Sequence, residues 1–98
     1  MKIHAYHYFF KKLANPLRIN IISSLAKKPK MVNELAIELR TEQSKLSHAL
    51  KELSSCYIVE AKRKGKKKIY KLSKTILPIL KLIDKHSKKY CKFCMYRK

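Results

Sequence analysis

The stretch TEQSKLSHALKEL, residues 41–53, decides the fold of this chain. Leu46, Leu50 and Leu53 recur at i, i+4 and i+7, which predicts an α-helix with one buried stripe. We expect the Thr41 hydroxyl to cap the first turn of this helix. We also expect the Glu42 carboxylate to interact favourably with the positive end of the helix dipole. At about 100° per residue, the opposite side of the helix carries short polar and basic side chains. They are Gln43, Ser44, Lys45, Ser47, His48 and Lys51.

A second short helix is predicted immediately before this one. Residues 32–39, VNELAIEL, carry Leu35, Ala36 and Leu39 at helical spacing, and only two or three residues separate the two segments. Two short helices across a tight turn, the second with a polar outer face, are typical of a helix-turn-helix. Taken alone, the polar face is more often an ordinary solvated helix surface. The segments after residue 56 favour the functional interpretation.

After residue 56 the pattern changes to that of β-structure. Residues 57–61, YIVEA, and residues 68–72, KIYKL, are rich in β-formers and predict two paired strands. Between them lies KRKGKK, residues 62–67, which contains the only glycine of the sequence. Glycine supplies the turn conformation that other residues resist, so a β-hairpin with a cationic tip is expected. We call residues 57–72 the wing. A run of charges is usually a solvated surface, but this hairpin follows a helix-turn-helix.

The flanking segments predict further helices. Residues 3–14 carry an aromatic stripe at helical spacing, Tyr6, Phe9 and Phe10, which favours either core packing or a subunit interface. Asn15 and Pro16 form a start signal for a helix to about residue 26, and residues 75–90 predict the last helix. The fold class is therefore mainly α with a β-hairpin, a winged helix-turn-helix in the order α-α-α-α-β-β-α. We expect one domain over residues 1–98.

The net charge of the chain limits the classes of partner that it can have. The sequence has 25 Lys and Arg against 6 Asp and Glu, a formal net charge of +19, which predicts a polyanionic partner. Nucleic acid is favoured over an anionic membrane surface. No apolar run is long enough to cross a bilayer and the first residues do not resemble a secretory signal, so we expect a cytoplasmic, nucleoid-associated protein. No carboxylate pair, G-x-S-x-G motif or phosphate-binding glycine loop is present, so an enzyme is not expected.

Four segments in order resemble the ArsR/SmtB family of bacterial and archaeal repressors. LANPLRINIISSL is similar to the family pattern LADPTRLRILxLL, NELAIEL to xELAxxL, and QSKLSHALKEL to QSxVSxHLxxL. SCYIVEAKRKGKKKIYKL resembles the wing pattern AGLVxxRREGRxVYYxL. The resemblance covers roughly residues 8–74. It implies a homodimer, built from helices 3–14 and 75–90, that binds a palindromic operator in double-stranded DNA.

The metal response of many family members is not implied here. The paired cysteines of the family motif ELCVCDL fall on Met31 and Asn33, and the D-x-H at the head of the last helix falls on residues 74–76, KTI. We therefore expect no metal cofactor at these sites. Two glycines of the family pattern are also replaced, by Arg40 in the helix-turn-helix and by Tyr57 before the wing.

The polar face and the wing divide into two groups of predicted DNA contacts. Short hydrogen-bonding side chains suit base edges, and Gln43 has the geometry to pair with adenine. Cations suit phosphates or the minor groove. The predicted base contacts are Gln43, Ser44, Ser47 and His48, and the predicted backbone contacts are Lys45, Lys51, Arg63, Lys64, Lys66 and Lys67. Two other functions compete, a sequence-independent architectural DNA-binding protein and a module that binds an acidic protein.

Cys91 and Cys94 leave three alternatives open. They are two free thiols, a reversible disulfide favoured by neighbouring lysines, or a soft-metal site completed by His86 and by His4 or His7 of a neighbouring first helix. Free thiols are the first interpretation for a lone C-x-x-C, and redox ranks above metal. Cys56 is expected to be a small buried packing residue.

Overall fold

Five helices and three strands follow one another along residues 3–90, the part of the chain that this computed structural model describes. They are α1 (Ile3–Leu13), α2 (Pro16–Leu25), β1 (Lys30–Met31), α3 (Val32–Leu39), α4 (Gln43–Ser55), β2 (Val59–Lys64), β3 (Lys67–Leu72) and α5 (Ile76–Tyr90). The predicted winged helix-turn-helix is confirmed. The predicted order lacked one strand, β1. No helix within the described residues is long and apolar enough to cross a membrane.

The core forms where α2, α3 and α4 meet the base of the sheet. Each helix contributes the stripe that its apolar spacing predicts, and the sheet contributes the residues nearest to α4. The fully buried side chains are Ile21, Leu35, Leu46, Leu50, Leu53, Ile58 and Val59. Burying side chains of this kind stabilises a domain by about 1.5–3 kcal/mol each. These contacts fix the position of α4.

The short strand β1 makes the hairpin into a three-stranded sheet. Lys30 pairs with Tyr70 and Met31 with Ile69, so the strand order is β1-β3-β2, antiparallel throughout. Two residues are too few to show an alternating pattern, which is why the sequence did not predict this strand.

Lys30 is a buried cation with two partners. Its Nζ atom lies 2.6 Å from Ser24 Oγ and 2.6 Å from Glu38 Oε1, and the side chain is almost excluded from solvent. The hydrogen bond from Lys30 lowers the pKa of Glu38 from its ordinary value, with smaller help from Ser24. A buried charge needs such partners. The cluster therefore joins β1 to α2 and α3.

The starts of α2 and α4 differ from each other. Asn15 caps α2 as predicted, since its Oδ1 accepts a hydrogen bond from the Arg18 amide at 3.2 Å, with Pro16 as the first helical residue. The prediction that the Thr41 hydroxyl caps α4 was wrong. Glu42 is the N-cap residue and its side chain makes no capping hydrogen bond. The Thr41 amide instead donates to the Ala36 carbonyl at 3.1 Å, so Thr41 completes the end of α3.

Candidate nucleic-acid interface

Helix α4 has one buried and one exposed side. Leu46, Ala49, Leu50 and Leu53 lie in the core. The side chains predicted to contact base edges and phosphates on this helix are all exposed, namely Gln43, Ser44, Lys45, Ser47, His48 and Lys51. The helix therefore offers solvent a neutral, hydrogen-bonding surface between two lysines. Such a surface fits the major groove of duplex DNA, where donors and acceptors of the base edges are accessible.

The turn between α3 and α4 is held by a residue in an unusual conformation. Arg40 follows α3 with φ 52° and ψ 49°, in the left-handed region, and its amide bonds to the end of the helix. Tyr57, between α4 and the wing, also has a left-handed φ of 56°. These are the two positions at which the family pattern has glycine. The chain keeps the left-handed backbone without it, at a cost of about 1–2 kcal/mol per residue.

The strands of the wing extend further toward the tip than the sequence predicted. The cationic segment 62–67 was expected to be the loop, but Lys64 pairs with Lys67, and only Gly65 and Lys66 form the turn. Gly65 adopts a positive φ of 68°. Such a value is typical of glycine at the first position of a two-residue hairpin turn. All four predicted wing contacts, Arg63, Lys64, Lys66 and Lys67, are exposed.

The pairing of the wing strands sets like charges opposite each other. Arg63 lies opposite Lys68 and Lys64 lies opposite Lys67. Like charges directly across two strands destabilise a hairpin. Such an arrangement is favourable only where an anion neutralises it, as a nucleic-acid backbone does. Lys62 and Lys68 also lie on the exposed surface of the strands, although the sequence pattern did not single them out.

Helix α4 carries one acid near its outer face, Glu52, and the structure neutralises it. Lys12 of α1 donates a hydrogen bond from Nζ to Glu52 Oε2 and forms an ion pair with it. The Lys12 hydrogen bond and charge lower the pKa of Glu52, with smaller help from His48 and Arg18. The Nη1 atom of Arg18 also donates to the carbonyl of Lys12 at 3.3 Å. The carboxylate is thus ionised but balanced where it would otherwise repel phosphate.

Arg18 belongs to the surroundings of α4, which the sequence did not indicate. An open cleft of about 400 Å³ lies between the first turn of α2 and α4. Asn15, Arg18, Lys45 and His48 are among the residues that line it. The first turn of a helix attracts anions, and two cations lie beside it. No local pattern predicts that Arg18 and His48 line the same cleft, because about thirty residues separate them along the chain.

The terminal helices expose a different surface. The aromatic stripe of α1 is divided, since Leu13 is buried and Phe9 packs on the core, whereas Tyr6 and Phe10 are exposed. On α5, Ile76 is buried and Leu80 packs on the core. We call the exposed large apolar side chains of the two helices the terminal apolar face. They are Ile3, Tyr6, Tyr8, Phe10, Ile79, Leu82, Ile83 and Tyr90.

The cysteine predictions have different outcomes. Cys91 and Cys94 lie outside the described residues 3–90. Within that range, no group of three His, Cys, Asp or Glu side chains lies close enough together to hold a metal ion. The His86 ring lies 4.9 Å from that of Tyr90, and the His7 ring 5.9 Å from that of Tyr8. Cys56 is half-buried and packs against the core, less enclosed than expected.

Sequence comparisons agree with this architecture. The model of the arsR family of bacterial regulatory proteins matches residues 15–61. A "Transcriptional repressor SmtB homolog" of Synechocystis sp. is 35% identical over 65 residues, 66% of this chain and 49% of that protein. An "Uncharacterized HTH-type transcriptional regulator", Rv0081 of Mycobacterium tuberculosis, is 38% identical over 66 residues, 66% of this chain and 58% of that protein. The chain therefore spans only about half the length of the curated relatives it matches.

Solved structures of similar proteins match over a larger share of the chain than the sequence relatives do. The crystal structure of Mycobacterium tuberculosis Rv0081 matches with a TM-score of 0.85 and 31% identity, covering 91% of each chain. NolR from Sinorhizobium fredii matches with a TM-score of 0.78 and 29% identity, covering 91% of this chain and 87% of that one. The homodimeric winged helix-turn-helix DNA-binding domain of Mb0332 from Mycobacterium bovis has a TM-score of 0.85 at 22% identity, covering 98% and 90%, which shows the fold alone.

Proposed function

Because this chain belongs to the arsR family of bacterial regulatory proteins, we propose that it is a homodimeric, sequence-specific transcription regulator of palindromic operators. The observation that carries this proposal is the exposed, mainly neutral face of α4, held by a buried opposite face. A helix fixed in this way presents the same side chains to every DNA molecule it meets, and sequence readout requires that. We expect it to act in the cytoplasm, on the nucleoid.

In the proposed complex α4 lies in the major groove. Gln43, Ser44, Ser47 and His48 contact base edges, and Lys45 and Lys51 bind the phosphates on either side. The wing follows the adjacent backbone or minor groove with Arg63, Lys64, Lys66 and Lys67. Neutralisation of Glu52 by Lys12 supports this orientation, since an unpaired carboxylate beside α4 would repel the backbone.

Dimerisation is supported by the terminal apolar face. Phe10 is 58% exposed and Leu82 67% exposed, and both belong to helices whose other sides pack on the core. Clusters of exposed apolar side chains mark interaction surfaces. A two-fold dimer would set two α4 helices about 34–36 Å apart, facing successive major grooves on one side of the duplex. That geometry requires a palindromic site.

A second function is favoured by the net charge of +19. Affinity from counterion release is independent of sequence, so an architectural protein that coats DNA would also use such a charge. The two functions differ in what α4 contributes. A regulator needs its polar face for discrimination, whereas a coating protein needs only its cations.

Selection of bound sequences from a random duplex pool, at low and at near-physiological salt, tests the proposal. We expect enrichment of one palindrome that becomes sharper as salt rises, because screening removes the nonspecific part of the affinity. Retention without enrichment at both salt concentrations would favour the architectural function. If the protein retains no duplex at near-physiological salt, the result would contradict both DNA-binding functions and favour an acidic protein partner.

The dimer has its own test. Phe10→Glu inserts a charge into the terminal apolar face, and we expect it to convert a dimer into a monomer in sedimentation equilibrium at micromolar concentration. Ile37→Glu is the matched control, since Ile37 is 79% exposed on α3 and lies outside α1 and α5. A wild-type monomer, or equal dissociation of both variants, would contradict the proposed interface.

A further inference from the structure

An open cleft lies on the side of the molecule where α2, β3 and α5 meet. Its volume is about 410 Å³, within the size range of small-molecule sites. Its apolar wall comes from the end of α2, the end of β3 and the first turns of α5. Leu25, Leu72, Leu77 and Pro78 belong to that wall, and Leu25 is buried.

Five lysines surround the apolar wall. They are Lys27, Lys28, Lys71, Lys74 and Lys81. Within the described residues, Lys71 forms an ion pair, since its Nζ lies 3.9 Å from Glu60 Oε2, and Lys27 attracts the Glu38 carboxylate at longer range. None of the residues that line the cleft is an aspartate or a glutamate. The cleft therefore joins an apolar surface to a concentration of positive charge that no acidic residue of its own lining balances.

This cleft is separate from the proposed DNA interface. The first turn of α2 lies beside Lys45 and His48, whereas Leu25 at its last turn lines the cleft. A helix of 10 residues such as α2 is about 15 Å long. The cleft likewise adjoins Leu72, at the opposite end of β3 from the Gly65 turn. Reading DNA with α4 and the wing tip thus leaves this cleft unused.

We propose that the cleft binds a small amphipathic anion, an apolar body that carries one carboxylate or phosphate group. Apolar atoms buried against Leu25, Leu72 and Leu77 would supply affinity in proportion to their area. Lysine ammonium groups on flexible stems adjust to either anionic group. The apolar wall and the lysines together select this class of ligand. A nucleic-acid backbone would not need the apolar wall, and a neutral ligand would not need the lysines. The inference is independent of DNA binding, and a bound ligand would join the base of the wing to the head of α5.

Isothermal titration of the full chain without DNA tests this site. Decanoate and monodecyl phosphate serve as probes, at an ionic strength of about 0.15 M that screens long-range attraction. We expect at least one probe to bind saturably with one molecule per chain. Butyrate, which lacks most of the apolar body, and decanol, which lacks the charge, should bind roughly 10-fold more weakly or worse. No saturable binding by either anion, or equal binding of decanol, would overturn the proposal.

Matched variants locate the site. Ala26→Trp fills the cleft from an exposed helix end in ordinary right-handed conformation, so the fold should survive and binding should be lost. Lys74→Gln/Lys81→Gln should weaken binding about 10-fold, since two of the lysines around the anion lose their charge. Lys85→Gln/Lys89→Gln removes the same charge from exposed positions of α5 outside the cleft and should leave binding unchanged. Equal weakening in both double variants would show that net charge alone attracts the probe. Retained binding in Ala26→Trp would show that the probe binds outside the cleft, and either result would overturn the proposal.

Discussion

Helix α4 and the wing are both exposed to solvent, yet they are supported very differently. The inner side of α4 is formed by Leu46, Leu50 and Leu53, which solvent does not reach. In the wing strands only Val59 on β2 and Tyr70 on β3 are buried, and β2 beyond Val59 is exposed to the tip. The outer face of α4 is mainly neutral, whereas the wing tip is dense in cations.

From this difference we propose two kinds of DNA contact. A hydrogen bond to a base edge tolerates little displacement, so its donor must stand on a rigid element. Attraction between a lysine and phosphate depends weakly on direction, so an element with little packing supplies it adequately. We therefore propose that α4 supplies discrimination between sequences and that the wing supplies affinity, and separate variants test each role.

The largest effect is expected from Leu50→Ala, which removes the support of α4. Truncating a fully buried leucine leaves a cavity and should lower the free energy of unfolding by about 2–5 kcal/mol. Urea unfolding followed by circular dichroism measures this loss. Lys51→Ala, on the exposed side one residue away, should change stability by less than about 0.5 kcal/mol. Similar losses in both variants would mean that α4 is not anchored through its inner side.

The next effect is expected in the wing. Replacing Lys64, Lys66 and Lys67 together with glutamine should flatten the slope of log affinity against log salt by about 2–3 units for each protomer bound. All duplex sequences should weaken alike, because phosphates carry no sequence information. Fluorescence anisotropy over a salt series measures both quantities. An unchanged slope would remove the wing from the interface.

A smaller effect is expected on the polar face of α4. Ser47→Ala with His48→Ala should reduce the preference for the selected site over a scrambled duplex by about 1–3 kcal/mol for each base-edge hydrogen bond removed. The salt slope should hardly change, since neither position carries a lysine or arginine that releases counterions from a phosphate. Competition binding between the two duplexes gives the preference. If this variant and the wing variant behave alike, the division between readout and affinity is wrong.

Tyr57 connects the two regions, and its backbone allows a stabilising change. Its φ of 56° lies in the left-handed region and its side chain is 79% exposed, so Tyr57→Gly should raise stability by about 0.5–1 kcal/mol. Tyr57→Ala keeps a Cβ in the same conformation and serves as the control. Thermal unfolding should rank glycine above tyrosine and alanine, and a loss of stability with glycine would contradict the argument from backbone strain.

The smallest effect concerns acid stability. Lys12 holds the pKa of Glu52 below its ordinary value of 4.5 in the folded chain. The stabilisation from this pair is therefore complete above pH 4.5 and is lost as the pH falls through the lower folded value. Glu52→Gln should make unfolding less sensitive to pH in that window and leave the pH dependence near neutrality unchanged. Identical acid profiles of wild type and variant would mean that the pair does not contribute.

Much of this architecture could be predicted from local patterns. The spacing of Leu46, Leu50 and Leu53 predicted α4, Asn15 and Pro16 predicted the start of α2, and Gly65 predicted the hairpin turn. Exposure of the predicted contact residues followed from the same periodicity, although their contacts with DNA remain predictions. The Thr41 cap was wrong because α4 begins one residue later than expected, with Glu42 at the N-cap position, so that Thr41 lies before it and its amide completes the end of α3.

The sequence by itself determined the helices of the helix-turn-helix, the hairpin and the excess of positive charge. These properties depend on side chains that are neighbours along the chain, within a few residues of each other. Only the tertiary structure decided which distant residues meet. It paired Lys12 with Glu52, added β1 to the hairpin and brought five lysines around the apolar cleft. Packing of the core sets these contacts, and no periodicity along the sequence records them, because residues many turns apart approach each other only after the helices have packed.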